Sequence, residues 1–105
     1  MSPDDPLLKR CTHAIREAYP DRLAGIVLYG SVARGDDGPE SDIDILVLIE
    51  GEYKLLDEIE RLVGVLYPLE LESGRLICAL PARAEEYRRG VTQLYKNAIE
   101  EGVPL

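Results

Sequence analysis

Two short groups of residues in the first half of the chain have the types and spacing to do chemistry. Asp42 and Asp44 are two residues apart at the head of one apolar run, and Gly30-Ser31 directly follows another. Side chains two residues apart on a strand point to the same face, about 7 Å apart along the backbone. Two bare carboxylates at that separation repel each other. The pair therefore predicts a Mg²⁺ site, because hard oxygen ligands hold Mg²⁺ against substrate phosphates.

The Gly30-Ser31 turn can supply the other half of such a site. A glycine lets the backbone approach a phosphate without a side chain in the way. We predict that Ser31 caps a short helix over 32–35, whose amide groups would point toward bound phosphates. A plain strand-to-helix turn with a capping serine would explain these two residues alone. It would not explain an acidic pair at a fixed distance from them.

A simpler interpretation of the acidic pair is a strand entry that binds no ligand. It suits Asp44 poorly, because Asp44 begins a run that should be buried, where an unpaired charge is costly. We therefore favour the functional interpretation of Asp42 and Asp44.

The hydrophobic pattern predicts the elements that position these residues. Apolar runs predict strands over 23–29, 43–49 and 75–80. Helical spacing of apolar residues predicts a first helix from Pro6 to Tyr19, capped by Asp4 or Asp5. A second helical period begins at Glu52, a helical turn covers 84–88, and a last helix ends at Gly102.

The helix after Glu52 has one apolar stripe, and Pro68 should kink or split it. Gly74 suits its left-handed exit. The stripe consists of Leu55, Ile59, Leu62, Leu66 and Leu69. The polar residues predicted to lie outside it are Lys54, Asp57, Glu58 and Arg61. His13 falls off the stripe of the first helix, so we interpret it as a solvent-facing residue.

Composition limits the classes of function. The chain has 105 residues and a net charge of −8, so we expect one domain spanning 1–105 with no basic stripe for tight nucleic-acid binding. The acidic N-terminus has no apolar signal core, and no run approaches membrane-spanning length. Cys11 and Cys78 have no partner at metal-ligand spacing and are interpreted as reduced thiols. We expect a cytoplasmic protein.

The segments GSVARG and SDIDILV, which contain these residues, resemble the minimal nucleotidyltransferases of the DNA polymerase β-like nucleotidyltransferase superfamily. The resemblance implies an α/β (α+β) fold with a small mixed sheet of about three strands flanked by helices. It implies Asp42 and Asp44 as catalytic Mg²⁺ ligands and ATP or another NTP as substrate. It also implies a set of nucleotide-binding residues: Gly30, Ser31, Arg34 and Ser41. From the residues alone, Arg34 is more simply a structural tie to a carboxylate, or to Asp36-Asp37.

The resemblance fails at one position. Family enzymes generally carry a third carboxylate on a later strand, and the strand predicted over 75–80 has no acid. Cys78 occupies the expected place by its distance from Gly74. Glu70 or Glu72 could serve instead if 69–72 were the strand, but Leu69 continues the helical stripe.

Two functions follow from the resemblance. The first is an antitoxin enzyme that transfers AMP from ATP to a tyrosine hydroxyl of a HEPN-domain toxin partner. The second is a catalytically weak or inactive binding module of the same fold, which neutralises or scaffolds a partner by contact. In both cases we expect a homo- or hetero-oligomer.

Overall fold

The computed structural model describes residues 1–35, 38 and 41–105, and within them four strands and five helices. The strands are β1 (Leu23–Tyr29), β2 (Ile43–Ile49), β3 (Ile77–Arg83) and β4 (Val103–Pro104). The helices are α1 (Pro6–Ala18), α2 (Gly30–Arg34), α3 (Leu55–Ser73), α4 (Ala84–Arg89) and α5 (Gln93–Glu101). None of the helices in this described part of the chain combines the length and apolar character needed to cross a bilayer.

The four strands form one mixed sheet in the order β3-β2-β1-β4. β1 is antiparallel to β2 and β4, whereas β2 and β3 are parallel. The predicted α/β class and the first two predicted strands are confirmed. β1 and β2 are interior strands, which explains why both are apolar on both faces. The two-residue β4 was not predicted, because so short a segment has no periodicity of its own.

Helices cover both faces of this sheet. α1 and α3 pack on one face, where alternate β2 residues such as Ile43 and Ile45 point. α4 and α5 pack on the opposite face against Leu46 and Leu48. Because side chains alternate along a strand, Asp44 belongs to the α4/α5 face of β2.

α1 forms as its sequence predicts. The Asp5 side chain caps it by accepting a hydrogen bond from the Leu7 amide at 2.9 Å. Its buried stripe consists of Leu8, Cys11 and Ile15. His13 is exposed and contacts Glu17 at 2.9 Å, as its position off the stripe predicts. The helix ends one residue earlier than predicted, because the residue before Pro20 disfavours helical backbone.

α3 differs from its prediction in three ways. It begins at Leu55 rather than at Glu52, and Leu55 is 53% exposed although it was assigned to the core stripe. It also runs without interruption through Pro68, so the predicted split is wrong. Pro68 is exposed and removes only one backbone hydrogen bond from a 19-residue helix. The predicted left-handed exit at Gly74 is confirmed, with φ of 69°.

Glu58 was predicted to face solvent, but only 6% of it is exposed. The Tyr19 hydroxyl donates a hydrogen bond to Glu58 Oε2 at 2.8 Å, and Arg61 Nε lies 3.5 Å from the same oxygen. The guanidinium of Arg61 also lies 5.4 Å from the Tyr19 ring centroid. A buried carboxylate needs such partners, and the Tyr19 hydroxyl comes from a residue 39 positions away in sequence. Helical spacing alone therefore could not reveal this burial.

β3 covers Ile77–Arg83, displaced toward the C-terminus from the predicted 75–80. The Ile43 amide donates to the Leu76 carbonyl at 3.0 Å, which sets the register of β3 against β2. In this register the backbone nitrogen of Pro81 points away from β2, toward the edge of the sheet. Proline is tolerated there, since no partner strand needs its missing N–H. Side chains alternate along β3, since Ile77 and Ala79 pack on the α1/α3 face. Residues predicted as a helical turn and a last helix form α4 and α5.

Candidate active site

Three side chains stand in a row across the sheet at the end of β1. The strand registers pair Tyr29 with Asp44 and Asp44 with Cys78. All three side chains belong to the α4/α5 face by strand alternation. The acidic pair predicted from sequence therefore lies between β1 and β3, at the end of the sheet where α2 begins. Cys78 stands directly beside Asp44, as its distance from Gly74 predicts.

The Gly-Ser turn lies against the acidic pair. Gly30 has φ of +77°, and a Cβ placed on it would lie 2.6 Å from Asp44 Oδ2. Only glycine satisfies both the left-handed backbone and this close approach. The two halves of the motif, ten residues apart in sequence, are thus in direct contact. An open backbone turn beside a carboxylate is what a metal-bound phosphate needs.

The predicted cap of α2 is wrong. The helix starts at Gly30, two residues earlier than predicted, and Tyr29 occupies the cap position without a side-chain hydrogen bond. Ser31 therefore lies inside the first turn instead of capping it. The helix ends at Gly35, whose φ is +78°.

Two ionisable side chains of the site have pKa values above their ordinary ones. Burial and the neighbouring Asp42 carboxylate raise the pKa of Asp44 above its ordinary value. Burial raises the pKa of Tyr29 to about 12, and the neighbouring Asp44 and Cys78 add smaller contributions in the same direction. Both shifts disfavour negative charge at this place. A bound divalent cation would relieve them.

Cys78 does not complete a metal site. Burial and the charges of Asp44 and Asp42 raise the pKa of its thiol, so the neutral thiol is favoured. Within the described residues, no set of three His, Cys, Asp or Glu side chains is arranged to hold a metal ion. The acids Asp42 and Asp44 thus fit one hard cation that takes its other ligands from phosphate and water, and they do not fit a second.

The alternative third acids lie on α3, not on a strand. Glu70 Oε1 accepts a hydrogen bond from the Ile77 amide at 3.2 Å, and Glu72 pairs with Arg10 at 2.5 Å. The segment 69–72 is helical, as the stripe through Leu69 predicts.

Ser41 and Arg34 each have a structural contact in the described part of the chain. Ser41 closes a turn with Gly38, accepting from its amide through Oγ at 2.9 Å. Arg34 pairs with Glu101 of α5 at 3.6 Å, which fits the interpretation of a tie to a carboxylate. The other suggested partners, Asp36-Asp37, lie outside the described residues. Neither contact tests the nucleotide-binding role predicted for Ser41 and Arg34.

Sequence reasoning missed Arg75. Its Nη2 donates to the Ser41 carbonyl at 2.7 Å, one residue before Asp42. The bond fixes the backbone from which the first acid projects. An arginine directly after the helix-ending Gly74 was the only signal in the sequence, and it does not identify the partner.

A depression of about 160 Å³ adjoins the turn, lined by Tyr29, Gly30, Arg34, Leu94, Asn97, Ala98 and Glu101. Sites that enclose a small molecule usually have about 300–1,000 Å³. The depression can accept part of a nucleotide, and the rest would lie on an open surface beside the acids. α5 was predicted as a helix, but no sequence pattern indicated that Leu94 and Asn97 would lie beside the motif.

Comparison with known proteins decides the family. The nucleotidyltransferase domain model matches residues 8–103, nearly the whole chain and all of the site. The chain belongs to the nucleotidyltransferase domain family. A Sulfolobus solfataricus protein, provisionally named a nucleotidyltransferase in its crystal structure, superimposes with a TM-score of 0.67. That match covers 93% of this chain and 75% of the other at 22% identity, and it supports the fold alone.

Relatives of this nucleotidyltransferase domain include two kinds of enzyme. A Methanocaldococcus jannaschii protein, provisionally named a protein adenylyltransferase, is 29% identical over 94% of both chains. A bifunctional uridylyltransferase/uridylyl-removing enzyme of Burkholderia thailandensis is 38% identical over 84% of this chain. That match spans only 10% of the larger enzyme. The family and the names of these relatives support nucleotidyl transfer as the activity of the domain.

Proposed function

We propose that this domain is a Mg²⁺-dependent adenylyltransferase that transfers AMP from ATP to a tyrosine hydroxyl of a protein partner. The observation that carries the proposal is the contact between Gly30 and Asp44. It joins an open backbone turn, suited to phosphate, to a carboxylate pair suited to a hard cation. The full-length likeness to a provisionally named protein adenylyltransferase favours AMP and a protein acceptor.

Each residue has a task in this proposal. Asp42 and Asp44 hold the cation, which when bound would neutralise phosphate charge. Gly30 and Ser31 hold the triphosphate, and Arg34 and Ser41 border the nucleotide. The acceptor oxygen bonds to the α-phosphorus, the bond to pyrophosphate breaks, and the hydroxyl proton leaves to solvent.

The partner in this proposal is a HEPN-domain toxin, for which the domain acts as antitoxin. The open surface around the acids suits a macromolecular acceptor, because a docked protein would cover what the 160 Å³ depression leaves exposed. The net charge of −8 also favours a protein acceptor over a nucleic acid held through its phosphates.

A binding module of the same fold is the second candidate. One observation favours it: the neutral thiol of Cys78 stands in register with Asp44, where a third carboxylate would complete the site. A thiol is a poor ligand for Mg²⁺. Such a module would neutralise its partner by contact, without transfer.

Calorimetry with Mg²⁺ and ATP tests the metal site. Wild type should bind, and Asp42→Asn combined with Asp44→Asn should abolish the signal. Asp21→Asn combined with Asp57→Asn is the matched control, since these exposed acids lie away from the site. Equal binding by all three proteins would remove the metal-site proposal.

Cys78→Asp separates the two candidates. For a slow enzyme, the added carboxylate should raise Mg²⁺-dependent transfer of labelled AMP to a co-expressed HEPN protein. Cys78→Ser controls for side-chain size without charge. If the variant with Asp42→Asn and Asp44→Asn protects cells from the toxin as well as wild type does, that result would favour the binding module.

A further inference from the structure

The outward side of α3 carries apolar residues that the described part of the chain leaves more than half exposed. Leu56 is 77% exposed, Val63 61%, Tyr67 54% and Leu71 66%. At 100° per residue these four lie on one side of the helix, opposite the buried residues Leu62, Leu66 and Leu69. With the intervening Glu60 and Gly64, they form a strip about 22 Å long. We call these six residues the outer stripe.

The outer stripe is too large and too regular to be incidental surface. Single exposed apolar side chains are common, but contiguous patches on a monomer usually mark an interaction site. Gly64 lies inside the helix, where glycine is destabilising relative to alanine. A Cβ added to Gly64 would meet none of the described residues within 4 Å, so packing among them does not demand a glycine.

The order of residues along the outer stripe indicates the occupant. About a centre between Val63 and Gly64, the residues of the stripe complement one another in size and chemistry. An antiparallel copy of α3 would place Leu56 against Leu71 of the second copy. It would likewise place Val63 against the small Gly64, where two helices can approach closely.

The charge on the outer stripe fits the same arrangement. Glu60 is its one charged residue, and the antiparallel register places it opposite Tyr67 of the second copy. A phenol donates a hydrogen bond to a carboxylate. Two-fold pairing therefore leaves the two Glu60 side chains apart and partnered. A heterologous partner would have no need of this self-complementary order.

We propose that the outer stripe pairs two copies of this chain antiparallel, about a two-fold axis between Val63 and Gly64. The interface is isologous, with the same patch on both copies. It is small for a specific interface, so we expect a dissociation constant on the order of 1–100 µM. High salt should tighten the dimer, because each copy carries a net charge of −8.

Sedimentation equilibrium tests the association across this concentration range. Wild type should approach twice the 11.7 kDa mass of the chain. Val63→Lys places two like charges beside the axis and should weaken the dimer at least about 30-fold. Val91→Lys, at a 45% exposed valine outside the stripe, is the matched control and should dimerise as wild type does. A wild-type chain that stays monomeric at about 500 µM would overturn the proposal.

Disulfide cross-linking tests the register, in a background with Cys11→Ser and Cys78→Ser. Val63→Cys should cross-link to itself, because thiols bridge only when their Cα atoms lie within about 7 Å. Leu56→Cys alone should not, since its two copies would lie about 22 Å apart. It should cross-link when mixed with Leu71→Cys. Self-linkage of Leu56→Cys, or a dimer that Val63→Lys leaves intact, would refute the antiparallel pairing.

Discussion

Replacing Gly30 by alanine isolates the contact that joins the phosphate turn to the metal pair. The chain offers a matched control in Gly35, because the two glycines have φ of +77° and +78°. A Cβ at Gly35 would meet none of the described residues within 4 Å, whereas one at Gly30 would lie 2.6 Å from Asp44 Oδ2. Both substitutions carry the same backbone strain, so their difference measures the contact.

The magnitude follows from these two environments. Alanine in the left-handed region costs about 1–2 kcal/mol, which both variants share. Gly30→Ala must also rotate the Asp44 side chain, at about 0.5–1.5 kcal/mol for a side chain forced from its rotamer. We therefore expect Gly30→Ala to be about 1 kcal/mol less stable than Gly35→Ala in urea unfolding. Because the rotated carboxylate no longer faces the site, Mg²⁺ and ATP affinity should fall at least about tenfold relative to Gly35→Ala.

A double-mutant cycle with Asp44→Ala completes the test. With the carboxylate removed, Gly30→Ala should cost no more stability than Gly35→Ala. Equal Mg²⁺ and ATP affinity of Gly30→Ala and Gly35→Ala would refute the inference that Gly30 is kept small for Asp44.

Three further predictions concern single side chains. Because the pKa of Asp44 is raised in the fold, its ionisation destabilises the metal-free protein as pH rises through that pKa. Asp44→Asn should therefore be more stable than wild type at pH 7 without Mg²⁺, and the advantage should vanish below about pH 4; an advantage that persists there would contradict this cause. Tyr19→Phe removes the hydroxyl that donates a hydrogen bond to the buried Glu58 carboxylate, so we expect the free energy of unfolding in urea to fall by about 1–3 kcal/mol. A fall of less than about 0.5 kcal/mol would refute this role for the hydroxyl. Glu70→Gln should leave AMP transfer unchanged, since Glu70 contacts the Ile77 amide; abolished transfer would assign it a catalytic role.

The sequence predicted the interior strands because their burial is a property of each run by itself. Apart from Asp44, Leu23–Tyr29 and Ile43–Ile49 have no charged residue on either face, and the structure has the same bounds. The family resemblance assigned Gly30 and Asp44 to one site, and the place of Cys78 followed from its distance to Gly74. The close contact between Gly30 and Asp44 was not predicted, because it depends on how the turn after β1 packs against β2.

The missed features depend on partners distant in sequence. Glu58 is buried because Tyr19 reaches it, and Arg75 matters because it holds the Ser41 carbonyl. The displaced start of β3 has the same origin, since its register is set by pairing with β2. Helical spacing assigned Leu55 to the core, but it is the first residue of α3 and is 53% exposed.

The outer stripe and the candidate active site lie on opposite sides of the sheet. α3 packs on the face where Ile43 and Ile45 point, whereas Asp44 points to the face that α4 and α5 cover only in part. A second copy docked on α3 would therefore leave both acidic pairs open to nucleotide and acceptor. It follows that Val63→Lys should abolish dimerisation without changing AMP transfer per chain, whereas Asp44→Asn should do the reverse. Loss of transfer in a folded Val63→Lys variant would show instead that α3 takes part in holding the acceptor.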